Sequence, residues 1–189
     1  MKDFLIDVDE VLADFVNPAA AVISGLLGRP WTLDDAPHDN WDMFSNLAPE
    51  VLKGVFEAMN GKGFVSGLQP TPGSQDFVRE LRKTCNIYAL TAPHHTSPWW
   101  VLERNIWLGD LFGIDRKHVV HTDAKYLCRG DFFLDDRHDH VTRWNDRHPD
   151  KSGLWWGTKH NQRLLKSSLT LPLERRVDSW EAVLAKVAA

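Results

Sequence analysis

Two aspartates one residue apart, Asp7 and Asp9, stand at the end of a short apolar run, Phe4 to Val8, that only Asp7 interrupts. Such a run suits a buried strand of a parallel sheet. A carboxylate at its end loses hydration, so Asp7 requires a cation or a basic partner nearby. Alone, an Asp-x-Asp is a weak signal: roughly every second chain of this length holds one by chance, and a pair of helix-capping aspartates would account for it. A second acid pair, Asp135-Asp136, follows the stretch Asp131 to Leu134. Two acid pairs at the ends of two strands of one sheet repel strongly without a divalent ion. Magnesium suits that place, because it takes one or two carboxylates together with water and phosphate oxygens. Zinc would want His or Cys, and His94/His95 and His138/His140 lack the usual ligand spacing, so they read as surface groups or as groups behind the ligands. Lys125, ten residues ahead of Asp135, can bring a compact positive charge to the acids and to a phosphate; a solvated surface lysine is the plain alternative. Thr91 ends the run Ile87 to Thr91, where its hydroxyl and the following N–H groups can hold phosphate oxygens.

The elements that must position these groups alternate along the chain. Val16, Ala19, Ala20, Ile23 and Leu27 form one helical stripe that Gly28 can close. Residues Arg29 to Asn46, rich in Pro, Asp, Asn and Trp, read as an irregular loop. A second amphipathic helix runs from Pro49 through Met59, with Gly61 and Gly63 ending it. Beyond the turn Pro70-Thr71-Pro72-Gly73, helix and strand repeat. Phe77, Val78 and Leu81 mark a helix, Ile87 to Thr91 a strand, and Ser97-Pro98 an N-cap and first helical position for a helix reaching Phe112. Val119 to Thr122 and Phe132 to Leu134 read as strands, Val141 to Trp144 as a short helix, and Leu154 to Trp156 as the final strand. Asp178 with Glu181 is the expected capping box of the last helix. This pattern predicts an α/β fold with a doubly wound parallel sheet and right-handed crossovers. Ligands of such sheets bind beyond the carboxyl ends of the strands, where Asp7, Thr91, Asp135 and Asp136 all fall.

Composition bounds the partners. With 189 residues and 43% hydrophobic content, one domain plus a modest insertion is expected. The net charge is −4 and the pI about 6.1, so no global basic field draws the chain to nucleic-acid polymers or anionic membranes. No apolar run approaches the roughly 20 residues of a membrane span. The two cysteines, Cys85 and Cys128, have no paired spacing and read as reduced thiols in a cytoplasmic protein. Nine tryptophans is a heavy load, and the adjacent pairs Trp99/Trp100 and Trp155/Trp156 must each point one ring toward the surface or a cavity.

In this order and each at a strand end, the four pieces resemble the haloacid dehalogenase superfamily of phosphohydrolases, and within it the 5'(3')-deoxyribonucleotidases. The resemblance runs nearly end to end. It covers Asp7-Val8-Asp9-x-Val11-Leu12-Ala13-Asp14-Phe15, Leu68-x-Pro70-x-Pro72-Gly73, Thr91-Ala92-Pro93, Lys125, Asp135-Asp136-Arg137, His160-Asn161-Gln162, Arg175-Arg176 and Ser179-Trp180. It implies a core of residues 1–15 and 67–189 with a small helical cap, 16–66. It also implies that Asp7 is the nucleophile and Asp9 the acid/base. Asp7, Asp136 and the carbonyl of Asp9 would hold Mg2+, with Asp135 orienting the metal's surroundings or Lys125. Thr91, Ala92 and Lys125 would cradle the phosphate, and Phe15, Trp41 and Phe44 would face the nucleoside. The expected partner is a small nucleotide, and a homodimer is compatible with the chain. Three departures bear on substrate choice: Glu10 stands where relatives usually carry Gly, Ala92 where a Ser is normal, and His94-His95 where a Lys is common. The rival readings are a phosphatase of the same fold acting on another small ester or on a nucleic-acid terminal phosphate, and a catalytically silent nucleotide-binding protein.

Overall fold

The structure, a computed structural model, describes residues 1–38, 41–158, 161 and 175–189. Of the quoted motifs, His160 and Gln162 lie outside the described residues. In chain order the elements are β1 (Lys2–Asp7), β2 (Ala13–Asp14), α1 (Val16–Leu27), α2 (Pro49–Met59), β3 (Gln69–Pro70), α3 (Ser74–Leu81), β4 (Cys85–Thr91), α4 (Trp100–Phe112), β5 (Val119–His121), β6 (Phe132–Asp135), α5 (His138–Arg147), β7 (Ser152–Trp156), β8 (Arg176–Val177) and a last helix, α6 (Trp180–Ala188).

Six strands pair in parallel in the order β5-β4-β1-β6-β7-β8. The strand order reverses at β1, which lies between β4 and β6. That is the switch point at which α/β sheets open a crevice, and Asp7 ends the strand there. Side chains of β1 alternate between faces as the two-residue period requires. Phe4 and Ile6 join Phe77, Val78, Leu108, Val183 and Val187 on one side; Leu5 joins Phe133, Val141, Trp144 and Trp155 on the other. Because both faces are covered, the strand carries apolar residues in succession, each worth about 1.5–3 kcal/mol when buried.

The helices α1 and α2 build a separate apolar cluster of Val16, Ala19, Ile23, Trp31, Met43, Val55 and Met59, with Trp100 of α4 joining from the sheet side. Their chain leaves and returns through a two-stranded antiparallel ribbon, β2 with β3, pairing Ala13 with Pro70 and Asp14 with Gln69. Further ties of Thr71 to this exit are its N–H on the Leu12 carbonyl at 2.8 Å and its Oγ1 on the Val11 carbonyl. Neither two-residue strand leaves a periodic signal in the sequence, and β8, which follows the expected final strand, is missed for the same reason. Among the described residues no helix is long and apolar enough to cross a membrane. Both cysteines are free thiols, Cys85 buried and Cys128 partly so.

Two helix starts differ from expectation. α4 begins at Trp100 rather than Pro98, because the Ser97 hydroxyl donates to the Asn60 carbonyl at 3.1 Å and accepts from Trp99 N–H. At α6 the cap is Ser179, whose Oγ accepts from Ala182 N–H, while Asp178 is drawn off by Arg176 at 2.8 Å. The tryptophan pairs divide as expected. Trp100 and Trp155 are buried, Trp99 is exposed, and Trp156 stacks on Trp180 with ring centres 4.0 Å apart.

Candidate active site

Four ionisable groups meet at the carboxyl ends of β1 and β6. Asp7, Lys125, Asp135 and Asp136 are all buried. Lys125 Nζ lies 2.5 Å from Asp7 Oδ1 and 2.9 Å from Asp135 Oδ2. Its backbone forms a short 3-10 turn after β5, which aims the stem inward. Asp7 Oδ1 also accepts from Val8 N–H at 2.7 Å. Both oxygens of Asp135 are engaged: Oδ1 accepts from Arg137 N–H at 2.8 Å, and Oδ2 takes Lys125 together with His140 Nδ1 at 3.1 Å. Asp136 is held by its backbone. Its carbonyl accepts from Trp155 Nε1 at 2.8 Å and from Asn161 Nδ2 at 3.0 Å, while among the described residues its Oδ2 has no hydrogen-bond partner.

One lysine against three buried acids leaves negative charge in excess, and the pKa directions follow from that. Burial, then the Asp135 charge, pushes Asp7 up to about 7 against the pull of Lys125. Burial works against Asp135 as well, yet Lys125 and His140 hold it well below the usual carboxylate range. Burial followed by Asp135, Asp7 and Glu10 raises Asp136 well above that range. Lys125 pays a burial penalty, but Asp135 and Asp7 keep it firmly protonated.

A cation between these acids would relieve the imbalance. One ligand oxygen each from Asp7, Asp135 and Asp136 lies within 4.8 Å of the others. Asp135 has spent its oxygens on donors, whereas the unpartnered Oδ2 of Asp136 is a buried acceptor aimed at nothing else. An all-oxygen, carboxylate donor set fits a hard divalent ion such as magnesium.

From Val8 to Ala13 the chain turns tightly, the Val8 carbonyl accepting from the N–H groups of Val11, Leu12 and Ala13. Glu10 sits in this turn at φ 60°, the left-handed region that glycine adopts freely and other L-residues reach at about 1–2 kcal/mol. Its carboxylate offsets that cost. Oε1 accepts from Phe15 N–H at 2.9 Å and Val16 N–H at 2.8 Å, supplying the start of α1 with the cap that Phe15 cannot provide. Burial drives the Glu10 pKa up to about 7 in spite of these two bonds. Asp9, one residue earlier, is partly open to solvent, and its Oδ1 accepts from Arg104 Nη2 at 2.6 Å.

Over this floor lies a cavity of about 430 Å³ whose walls include Asp7, Asp9, Glu10, Phe15, Trp41, Phe44, Ala92, Lys125, Asp136 and His140. The sequence-predicted residues thus gather here, with two exceptions. Thr91 is fully buried behind Ala92, its Oγ1 without a hydrogen-bond partner among the described residues, and Asp135 lies under the floor. The aromatic residues have second contacts: Phe15 packs edge-on against Phe64, Phe44 against Phe56, and the Arg137 guanidinium lies 5.7 Å over the Trp41 ring. His94 and His95 point elsewhere. His94 Nδ1 bonds Asn60 Oδ1, and His95 forms an exposed pair with Asp123 at 2.7 Å. Two groups escaped the sequence reading, Arg104 on Asp9 and Trp155 on the Asp136 carbonyl, while His140, read as a surface group or one behind the ligands, meets Asp135, and Asn161, quoted in a motif, meets the Asp136 carbonyl. Arg104 and Trp155 reach partners 95 and 19 residues away and are residue types with ordinary structural uses, so no spacing in the sequence announces them.

The profile of a family described as 5' nucleotidase, deoxy (pyrimidine), cytosolic type C, matches residues 2–188. The human mitochondrial 5'(3')-deoxyribonucleotidase is 25% identical over 186 residues, which cover 95% of this chain and 81% of that protein. The human cytosolic type is 26% identical over 194 residues, covering 93% and 88%. Among solved structures, a haloacid dehalogenase-like family hydrolase from Streptococcus pneumoniae superposes with a TM-score of 0.60 at 13% identity, over 98% of each chain; that likeness shows the fold alone. With a family match across almost its whole length, the chain belongs to the cytosolic type C 5' nucleotidase family and is a phosphoric monoester hydrolase.

Proposed function

We propose that the chain is a magnesium-dependent nucleotidase that releases phosphate from nucleoside monophosphates through an aspartyl-phosphate on Asp7. The single observation carrying this reading is the buried Asp7–Lys125–Asp135 chain of contacts, with the free Oδ2 of Asp136 beside it, at the base of a partly aromatic cavity. Asp7 and Asp136, with the carbonyl of Asp9, would hold Mg2+, which when bound offsets the charge of the acids and of the phosphoryl group. Asp7 attacks phosphorus, forming an acyl phosphate as the ester P–O bond breaks. Asp9 gives its proton to the departing oxygen and then takes one from the water that opens the intermediate. Lys125 and the Ala92 N–H hold the phosphoryl oxygens, Thr91 supports Ala92 from behind, and Asp135 fixes Lys125 in place. Residues 16–66 act as a cap that closes over the nucleoside, with Phe15, Trp41 and Phe44 against the base or sugar. Such ring contacts are worth about 1–3 kcal/mol per base.

Phosphate release across a panel of nucleoside monophosphates, sugar phosphates and a 5'-phosphorylated oligonucleotide, with and without magnesium, tests the reading. Magnesium-dependent preference for one or a few nucleotides supports it. Weak, uniform activity on nucleotides beside strong activity on a sugar phosphate would reassign the substrate. No turnover of any ester with excess magnesium would favour the catalytically silent binding protein.

A further inference from the structure

Arg104 is a fully buried cation in the second turn of α4, and its surroundings are not those of a packing residue. Its guanidinium lies between two indoles of the same helix, 5.5 Å from the Trp100 ring centre and 5.8 Å from that of Trp107. One of its nitrogens, Nη2, reaches out of this slot to Asp9 Oδ1 at 2.6 Å, while among the described residues Nε and Nη1 have no hydrogen-bond partner. A buried guanidinium with unmatched donors is costly, and a Leu or Met stem would fill the same space without that cost. The slot itself is firm. Trp107 Nε1 donates to the Leu68 carbonyl at 2.8 Å, and the Glu103 carboxylate accepts from Gly63 N–H at 2.7 Å and Ser66 N–H at 3.1 Å. Asp9, by contrast, sits in an open turn, and among the described residues its Oδ2 has no hydrogen-bond partner.

We infer that Arg104 is a positioning residue for the acid/base of the proposed reaction: it anchors Oδ1 of Asp9 so that Oδ2 is the oxygen that carries the proton to and from the reacting centre. The division resembles that of any catalytic group held by one atom and working with another, where the holder acts through orientation rather than by touching substrate. The inference rests on the proposed role of Asp9, so the experiment separates the two.

The readout is the ratio of kcat/KM for the fastest nucleoside monophosphate to kcat/KM for p-nitrophenyl phosphate, with saturating magnesium. The nitrophenolate departs without a proton, and kcat/KM reports only steps up to phosphorylation of Asp7, so the ratio isolates proton delivery. Asp9→Asn is the reference and is expected to lower the ratio by on the order of 10²-fold or more. Arg104→Met is expected to lower it by about tenfold or more, in the same direction, with Arg104→Lys between Met and wild type. An Arg104→Met enzyme that loses activity equally on both substrates, or on neither, overturns the inference while an altered Asp9→Asn ratio leaves the acid/base reading intact. An unchanged ratio in Asp9→Asn sinks that reading and the inference with it. Should Arg104→Met fail to fold, Arg104→Lys decides: a ratio lowered several-fold supports the anchor, and an unchanged ratio refutes it.

Discussion

At the carboxyl ends of β1 and β6, Asp7, Lys125 and Asp135 are buried and each makes two or more polar contacts, whereas across the cavity Phe15, Trp41 and Phe44 are partly exposed rings held largely by packing. In the first region Asp7 and Asp135 take their geometry from strand register, which fixes side chains to within the tolerance of a sheet, and Lys125 takes its own from the 3-10 turn after β5. The second takes it from a helix start and from the loop segments 29–38 and 41–47, in which the described residues include one short 3-10 turn, Leu33–Asp35. Charged groups on a rigid sheet can serve one reaction, and rings on loops can change with the leaving group without disturbing that reaction.

Substitutions sharpen this contrast. The largest effect belongs to Asp7→Asn, expected to lower turnover by on the order of 10⁴-fold or more without loss of fold, since an amide relieves buried charge. Unchanged turnover with excess magnesium would rule out the mechanism. Lys125→Met comes next. It strands Asp135 and Asp7 without their cation, and the metal-free protein should lose about 3–5 kcal/mol in urea unfolding, part of it restored by magnesium.

The same imbalance sets the pH dependence of the metal-free wild type. Asp7 and Glu10 rise from ordinary values of 3.8 and 4.5 to about 7 in the folded state. Folded protein therefore binds more protons than unfolded protein between those limits, and stability falls as pH rises from about 4 to about 7. Asp135 acts oppositely, its contribution present above 3.8 and lost as pH falls below it. Magnesium should flatten the decline, and a metal-free stability that instead rises from pH 4 to 7 would contradict the charge excess.

The aromatic side of the cavity should respond differently. Trp41→Ala or Phe15→Ala is expected to raise KM for the nucleotide about 5- to 150-fold, the equivalent of about 1–3 kcal/mol, with p-nitrophenyl phosphate hydrolysis little changed. A matching loss on both substrates would mean that the rings support the core rather than the nucleoside. The smallest effect is Glu10→Gly. It relieves the left-handed strain but removes two N–H acceptors from the start of α1, for a net loss of about 1 kcal/mol in thermal unfolding, hydrolysis being retained.

The acids at strand ends were legible because an apolar run that stops at a carboxylate is a contradiction in the sequence, and three of them, Phe4 to Val8, Ile87 to Thr91 and Asp131 to Leu134, stop at a polar group. The α/β alternation was legible for the same reason of period. Arg104 was hidden because its partner is 95 residues away and its helix gives no reason to aim a cation inward. Glu10 was visible as an extra acid, but its cap on α1 was not, since capping is normally done by the residue at the helix start rather than by a side chain from six residues upstream. The ribbon of β2 with β3 is too short for any periodicity to mark it.

Glu103 has one more consequence. Its two oxygens hold Gly63 and Ser66, and Ser97 and Thr96 hold Asn60, so the returning limb of the insertion is stitched to α4 while the outgoing limb, α1, is joined to the core turn through Glu10. In amide exchange the boundary between cooperative units should then cut through the insertion rather than around it. Gly63 and Ser66 should exchange with the amides of α4, and α1 with α2 should open as a separate unit at lower free energy.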